Sequence, residues 1–383
     1  MKRILFIGHE AERTGAPIVL LHLLRWLREN HTGFEAEVLL LRDGELREDY
    51  ERVAKVYVVP KSMLPEIVAR GLRLLRRKLG LRKKLHIPDL IPFRTDYDLV
   101  VGNTVGSLEH LEFFKKRGLR TVSWIHEMRS VIDSFFPEPD RFAEAAKSVD
   151  RFVVPSRAVE AALREFGVTT KTELVYEFSE IGRVSENEAA AVRRSLGIPD
   201  NAFVVGGSGT VNSRKGIDLF LAIAAKLTAS IDDIYFLWVG GAARYSAAEL
   251  EHSLNEIERL GLSRVTITGT QKEPANYFAN MDVFALTSRE DPFPLVCLEA
   301  ASLSKPVICF AGSGGIPEFV GDDAGRAVPF GDVAAFADQI LEYYLDRDRL
   351  HAAGRAAHRK VSNEFSMESS CRKLSDVFLD VSN

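Results

Sequence analysis

The sequence predicts an α/β protein made of two doubly wound, Rossmann-like domains facing a central cleft. Short runs rich in Val, Ile and Leu alternate with amphipathic helical stretches along nearly the whole chain. That is the pattern of parallel strands buried on both faces by crossover helices. At 383 residues the chain also exceeds what one hydrophobic core fills, so two domains are expected.

The elements follow in order. An apolar strand at 4–8 leads through a polar loop to a helix at 16–28. Strands are expected at 36–41, 53–59, 98–101, 121–125 and 151–154. Pro155-Ser156 then caps a helix at 157–166, and a short strand at 174–176 precedes a polar stretch. A second series begins with strands at 202–206, 234–239, 265–268, 283–286, 306–310 and 325–328, separated by helices at 217–227, 246–260 and 334–345. These segments place an N-terminal domain at 1–177, a linker at 178–200, a C-terminal domain at 201–362 and a last helical piece at 363–383.

Composition narrows the function classes. The chain is 46% hydrophobic and 27% charged, which excludes disorder, collagen and coiled coil as its main state. A net charge of −4 argues against a general nucleic-acid binder. Three cysteines, Cys297, Cys309 and Cys371, make no disulfide framework and suit a reducing cytosol. The run at 4–8 is too short for a signal-peptide core, and no apolar run approaches the roughly 18 residues of a membrane-spanning helix. The expectation is a cytoplasmic protein, at most peripheral on the inner face of the cytoplasmic membrane.

In doubly wound sheets ligands bind where loops leave the carboxyl ends of strands, so the informative residues lie just after strands. The strongest constellation is Asp291-Pro-Phe-Pro-Leu-Val-Cys-Leu-Glu299, after the strand at 283–286. Pro294 suits the first position of a helix, which leaves the Leu295 and Val296 amides free to meet an anion such as phosphate. Glu299, one turn deeper, offers a carboxylate to two vicinal hydroxyls, and Asp291 meets a second sugar-like group. A capped surface helix carrying two acids is the plain alternative.

Gly206-Gly-Ser-Gly209-Thr210-Val-Asn-Ser-Arg214-Lys215-Gly216 follows another strand. Its glycines let backbone approach a ligand, and its adjacent cations can neutralise a diphosphate. It lacks the Ser/Thr after Lys of a Walker loop, and Asn212 occupies the third glycine of a dinucleotide fingerprint. A flexible loop with solvated cations is the alternative. Ala311–Glu318, with Gly314 and Gly315, is a second glycine-rich turn after a strand, or a plain αβ turn. In the first half, Gly15 and Ala16 open a helix, and His126 ends the strand at 121–125, where it faces the expected cleft or serves structure alone.

Together these segments resemble the retaining glycosyltransferases of the GT-B fold, large family four. The stretch 288–299 matches the family's Glu-x7-Glu motif in register. Lys215-Gly216 matches its Lys-Gly step, Gly314–Glu318 its Gly-Gly-x-Pro-Glu segment, Gly15-Ala16 its N-terminal glycine loop, and His126 its cleft histidine. The resemblance covers nearly the whole chain, strongly over 202–330 and less over 40–120.

What the resemblance implies is a transferase that moves a sugar from a nucleotide-sugar donor, a UDP- or GDP-sugar, to a glycan or lipid-linked acceptor in bacterial surface polysaccharide synthesis. Glu299 would hold the donor ribose, Asp291 the donor sugar's hydroxyls, Lys215 and Arg214 the diphosphate, and His126 would lie near the transferred sugar. Gly209, Thr210, Leu295, Val296, Gly314 and Gly315 would line the donor site. No metal or other cofactor is required if cations and helix amides stabilise the departing diphosphate. Two departures stand out: Asp291 replaces the first Glu, with Glu290 beside it as a rival, and Thr210 stands where an arginine is usual. Asp346-Arg-Asp348 has the letters of a metal motif but no preceding strand, and reads as surface.

Residues 61–94 hold ten Lys/Arg against two acids, with Leu64, Val68, Leu72, Leu75 and Leu79 at helical spacing. Such a basic amphipathic helix can lie on an anionic membrane surface, or pack on its own domain as a solvated helix. Two other functions stay open at this point: an NAD(P)-dependent oxidoreductase with two Rossmann domains, and a non-catalytic sugar-nucleotide-binding partner.

Overall fold

The fold was obtained as a computed structural model and describes residues 1–30, 32–59, 96–180, 184–243 and 246–383. The basic segment at 61–94 lies outside the described residues. By internal contacts the described chain divides into two compact units. One holds Met1–Trp124, Glu144–Phe152 and Ser375–Asn383, the other Ile125–Ala143 and Val153–Leu374.

The first sheet contains β1 (Lys2–Gly8), β2 (Phe34–Leu40), β3 (Lys55–Val58), β4 (Leu99–Asn103), β5 (Arg120–Trp124), β6 (Arg151–Val154) and β7 (Thr172–Leu174). Their spatial order is β3-β2-β1-β4-β5-β6-β7. Residues Ile4 to Ile7 of β1 are fully buried, as a central parallel strand covered on both faces must be.

The second sheet contains β8 (Phe203–Ser208), β9 (Ile234–Val239), β10 (Val265–Ile267), β11 (Val283–Leu286), β12 (Val307–Phe310) and β13 (Gly325–Val328), ordered β10-β9-β8-β11-β12-β13. Successive side chains of β8 feed opposite cores. Val205 packs with Phe220, Phe236 and Trp238, whereas Val204 packs with Leu237, Phe284 and Cys297. All strand pairs of this sheet are parallel.

The strand order reverses between β1 and β4 in one sheet and between β8 and β11 in the other. Crevices at such reversals are where this architecture binds ligands. The loops leaving β8 and β11 are the two that carry Lys215 and Asp291.

Every expected strand is present, with ends moved by at most two residues. Several helices were not legible. Glu186–Ser195, inside the stretch read as linker, buries no residue, so it has no apolar stripe to betray it; Ser185 caps it by accepting from the Glu188 amide. Arg129–Phe135 and Ile316–Val320 are shorter than two turns. Asp346 caps the helix Arg347–Asn363.

The last helix, Met367–Ser382, has a docking site that the sequence left open. Phe378 sits edge-on to Phe6 of β1 with ring centroids 5.8 Å apart. Asp380 pairs with Arg151 at 3.0 Å, and Ser382 accepts from Lys2 at 3.0 Å. Among the described residues, no helix is long and apolar enough to cross a membrane.

Candidate active site

The loops after β8, β11 and β12 are stitched together by backbone. Gly216 adopts φ +72°, and a Cβ there would lie 2.0 Å from the Thr287 carbonyl oxygen, so only glycine lets these loops close on each other. The Arg289 amide donates to the Arg214 carbonyl at 2.8 Å, and the Arg214 guanidinium donates to the Glu290 carbonyl at 2.8 Å. Arg289 grips Asp218 with two bonds of 2.7 and 2.6 Å, which lowers the Asp218 pKa against the opposing effect of burial.

On the other side, the Asp291 amide donates to the Ser313 carbonyl at 2.7 Å, and Asp291 bridges Gly314. Gly314 has φ +136°, and a Cβ there would lie 1.6 Å from the Asp291 carbonyl oxygen.

This stitching brings Lys215 and Asp291 together. Lys215 Nζ donates to Asp291 Oδ2 at 2.5 Å, and Ser288 Oγ donates to the same oxygen at 3.1 Å. Both side chains are largely buried, at 15% and 6% exposure. The methylenes of Lys215 run past Gly209, where a Cβ would come within 3.3 Å of them. Thr210 follows in the same loop, whose Val211 amide donates to the Gly241 carbonyl at 2.9 Å.

Glu290 has a different place. Its carboxylate accepts from the amide of Ser130 at 3.1 Å and from that residue's hydroxyl. Of the two adjacent acids, Asp291 therefore shares a site with Lys215.

The helix after Asp291 is Leu295–Ser302. The sequence placed Pro294 in its first turn, and the structure corrects this. Pro294 is the cap residue, with an extended ψ of 124°, and its carbonyl accepts from the Cys297 amide. Leu295 and Val296 thus head the helix, where their amides have no upstream helical carbonyl and the helix dipole favours an anion. Glu299 lies on this helix and accepts from Ser179 Oγ at 2.9 Å. Burial raises its pKa above the usual carboxylate range, partly opposed by the Ser179 bond.

His126 follows β5, and its Nδ1 lies 2.5 Å from Glu177 Oε1, with both side chains only 6% exposed. Glu177 and Ser179 were missed by sequence reasoning. The available signal was Val175-Tyr-Glu177-Phe178, a carboxylate inside an apolar run whose flanks Val175 and Phe178 are buried.

Glu318 of the Gly-Gly-x-Pro-Glu segment turns to the helix Arg157–Glu165. It accepts from the Arg157 and Ala158 amides at 2.8 and 3.3 Å and from Tyr176 Oη at 3.2 Å. Gly15 and Ala16 begin the helix Gly15–Glu29, where the Ala16 carbonyl accepts from Asn103 of β4 at 3.2 Å. These two lie in the first compact unit and the other site residues in the second.

A cation beside a carboxylate, a helix N-terminus and a second carboxylate one turn on form a set suited to a diphosphate with hydroxyls at either end. Residues 13–178 match the sequence model of Glycosyltransferase Family 4, and residues 189–360 match Glycosyl transferases group 1. A D-inositol 3-phosphate glycosyltransferase of Saccharomonospora viridis is 30% identical over 211 residues, 53% of this chain and 47% of that protein. The capsular polysaccharide biosynthesis glycosyltransferase CapM of Staphylococcus aureus is 26% identical over 179 residues, 46% of each chain. The chain thus spans about half the length of these curated relatives.

Among solved structures, Anabaena HepE in complex with UDP superposes with a TM-score of 0.80 at 22% identity, covering 99% of this chain and all of that one. Two family matches that follow one another along the chain, on two parallel sheets of GT-B architecture, make this protein a member of the group 1, family 4 glycosyltransferases.

Proposed function

We propose that the protein transfers a glycosyl group from a nucleotide-sugar, with retention of anomeric configuration, to a hydroxyl of a glycan or lipid-linked acceptor in bacterial surface polysaccharide synthesis. The observation that carries this reading is the buried Lys215–Asp291 pair where the strand order of the second sheet reverses, with the Leu295 helix start and Glu299 beside it in sequence.

Breaking the anomeric C–O bond puts negative charge on the departing diphosphate and oxocarbenium character on the sugar. Lys215, with Arg214 nearby in sequence, supplies cationic hydrogen bonds to that diphosphate, and the Leu295 and Val296 amides add fixed dipoles. Asp291 accepts from donor-sugar hydroxyls, and Glu299 accepts from the two ribose hydroxyls. Gly209, Thr210, Gly314 and Gly315 let backbone approach the donor, His126 lies against the transferred sugar, and Gly15-Ala16 belong to the acceptor side. The donor is a UDP- or GDP-sugar. UDP is the first to test, because UDP is the ligand held by Anabaena HepE.

The domains follow the same reading, with acceptor binding in 1–177, a linker at 178–200, donor binding in 201–362 and a closing helix at 363–383. The segment 61–94 carries a net +8, which leaves −12 for the rest of the chain. It would bring the enzyme to an anionic membrane and so to a lipid-linked acceptor. Salt-sensitive sedimentation with vesicles containing phosphatidylglycerol is expected. Equal sedimentation after charge reversal at Arg73, Arg76 and Arg77 would remove the membrane role.

The deciding experiment measures nucleotide release from a panel of UDP- and GDP-sugars by the wild type, Glu299→Ala and Lys215→Ala. Loss of turnover in both variants with the fold retained supports the site. Turnover unaffected by both changes refutes it.

A further inference from the structure

Lys215 ends a single turn of 3-10 helix, Ser213–Lys215, and each carbonyl of that turn accepts from the segment 287–289. The Ser213 carbonyl accepts from Arg289 Nη1 at 2.6 Å, and the Arg214 carbonyl from the Arg289 amide at 2.8 Å. The Lys215 carbonyl accepts from Thr287 Oγ1 at 3.3 Å. Arg289 also reaches past the turn. Its guanidinium donates to both carboxylate oxygens of Asp218, in the first turn of the helix Ile217–Thr228, at 2.7 and 2.6 Å. One side chain therefore spans the turn from its first residue to the helix that follows it.

Folding alone gives little reason for this span. The Arg289 and Asp218 side chains are 38% and 54% exposed, and an ion pair so open to water contributes little to stability. The proposed reaction gives it a use. Lysine carries its ammonium on a flexible four-carbon stem, so its value to a departing diphosphate depends on how firmly its backbone is aimed. A lone 3-10 turn has poorer hydrogen-bond geometry than an α-helix and holds that aim weakly by itself. A guanidinium bound through two parallel N–H bonds fixes both distance and angle, which a point charge does not.

We propose that Arg289 is the positioning residue of Lys215: it ties the Ser213 carbonyl to the Asp218 carboxylate, and so fixes the turn that aims the ammonium at the donor diphosphate. The proposal rests on the reading of Lys215 as the diphosphate cation. Arg289 acts through the turn and touches no substrate. It comes from the loop after β11, whereas the turn follows β8, so the lysine is held by a second segment of chain within the same compact unit. The effect falls mainly on the transition state. The departing diphosphate carries more negative charge than the intact donor, and a cation aimed in advance gains with that charge.

Steady-state kinetics of the full-length protein, with the donor that the UDP- and GDP-sugar panel selects, are the first test. Arg289→Ala should lower kcat about tenfold, with the donor KM within about threefold of the wild type. Its melting temperature should stay close to that of the wild type. Asp218→Ala should behave alike, and the double variant should lose no more than either single one, because the two groups act as a unit. Arg289→Lys keeps the charge without the fork and should recover only part of the rate. A residue that merely supports the fold would lower the melting temperature and leave kcat per folded molecule intact. That outcome, or multiplying losses in the double variant, overturns the proposal.

Binding supplies the second arm. UDP, or GDP if a GDP-sugar is the donor, has a free outer phosphate like the departing group. Calorimetric titration should show it bound about fivefold more weakly by Arg289→Ala than by the wild type. In a Lys215→Ala background the same change should have no further effect. A further loss there would mean that Arg289 meets the phosphates itself, and overturns the proposal. The donor-site reading fails separately. Full turnover in both Lys215→Ala and Glu299→Ala refutes that reading, whereas full turnover in Arg289→Ala beside an inactive Lys215→Ala refutes the positioning role alone.

Discussion

Lys215 Nζ lies 2.5 Å from Asp291 Oδ2, so the cation assigned to the diphosphate is held by the acid assigned to the sugar. On the proposed reading of the site, an incoming diphosphate must share that cation. Asp291→Asn keeps the shape and removes the competing charge. UDP is expected to bind at least as tightly as to the wild type, while sugar transfer falls about tenfold or more. Lys215→Ala should weaken UDP binding by about 1.5–3 kcal/mol, the contribution of a charged hydrogen bond. Calorimetric titration of both variants with UDP checks the pair, and weaker binding in Asp291→Asn with the fold intact contradicts this account.

Much of this was legible in sequence because it depends on local chemistry. Strands buried on both faces announce themselves as unbroken apolar runs, and the Lys-Gly and Asp-x7-Glu spacings fix positions on single loops and helices. What escaped depends on tertiary partners. The apolar run around Glu177 marks it as a buried acid but does not name its partner until His126 is placed beside it, and Ser179 carries no signal apart from Glu299. Whether Glu290 or Asp291 faces Lys215 is set by the Gly314 bridge, which adjacent letters do not encode.

Glu299 gives a pH dependence with a defined sign. Burial raises its pKa, so the unliganded carboxyl holds its proton to a higher pH than a free glutamate. Ribose hydroxyls that donate to the carboxylate favour its charged form. UDP binding should therefore release a proton near that raised pKa. Affinity should be complete above it and weaken as pH falls through it. Calorimetry in two buffers of different ionisation heat reads the proton directly. Glu299→Gln should abolish both the release and the pH dependence.

Gly314 and Gly312 separate a steric requirement from simple backbone strain. Both have positive φ, but a Cβ at Gly312 meets nothing within 4 Å, whereas one at Gly314 would overlap the Asp291 carbonyl. Gly312→Ala is expected to cost about 1 kcal/mol of strain. Gly314→Ala should cost several kcal/mol or push the Asp291 loop away from Lys215. Melting temperatures and nucleotide release from the two variants, measured side by side, decide this. Equal behaviour would mean that the close approach at Gly314 has no role.

Glu318 contributes by what it accepts. Its Oε1 takes the amides of Arg157 and Ala158 at the start of one helix, and its Oε2 takes the Tyr176 hydroxyl. Glu318→Ala leaves those amides without a partner and should destabilise the protein by about 1–3 kcal/mol. A glutamine can still accept both amides through its carbonyl oxygen and can donate its NH2 group to the tyrosine oxygen. Burial also raises the Glu318 pKa, so the charged form is disfavoured there and loss of the charge alone is tolerable. Glu318→Gln should accordingly melt close to the wild type and Glu318→Ala clearly below it. If both variants melt equally low, the charge itself rather than hydrogen bonding secures this helix start.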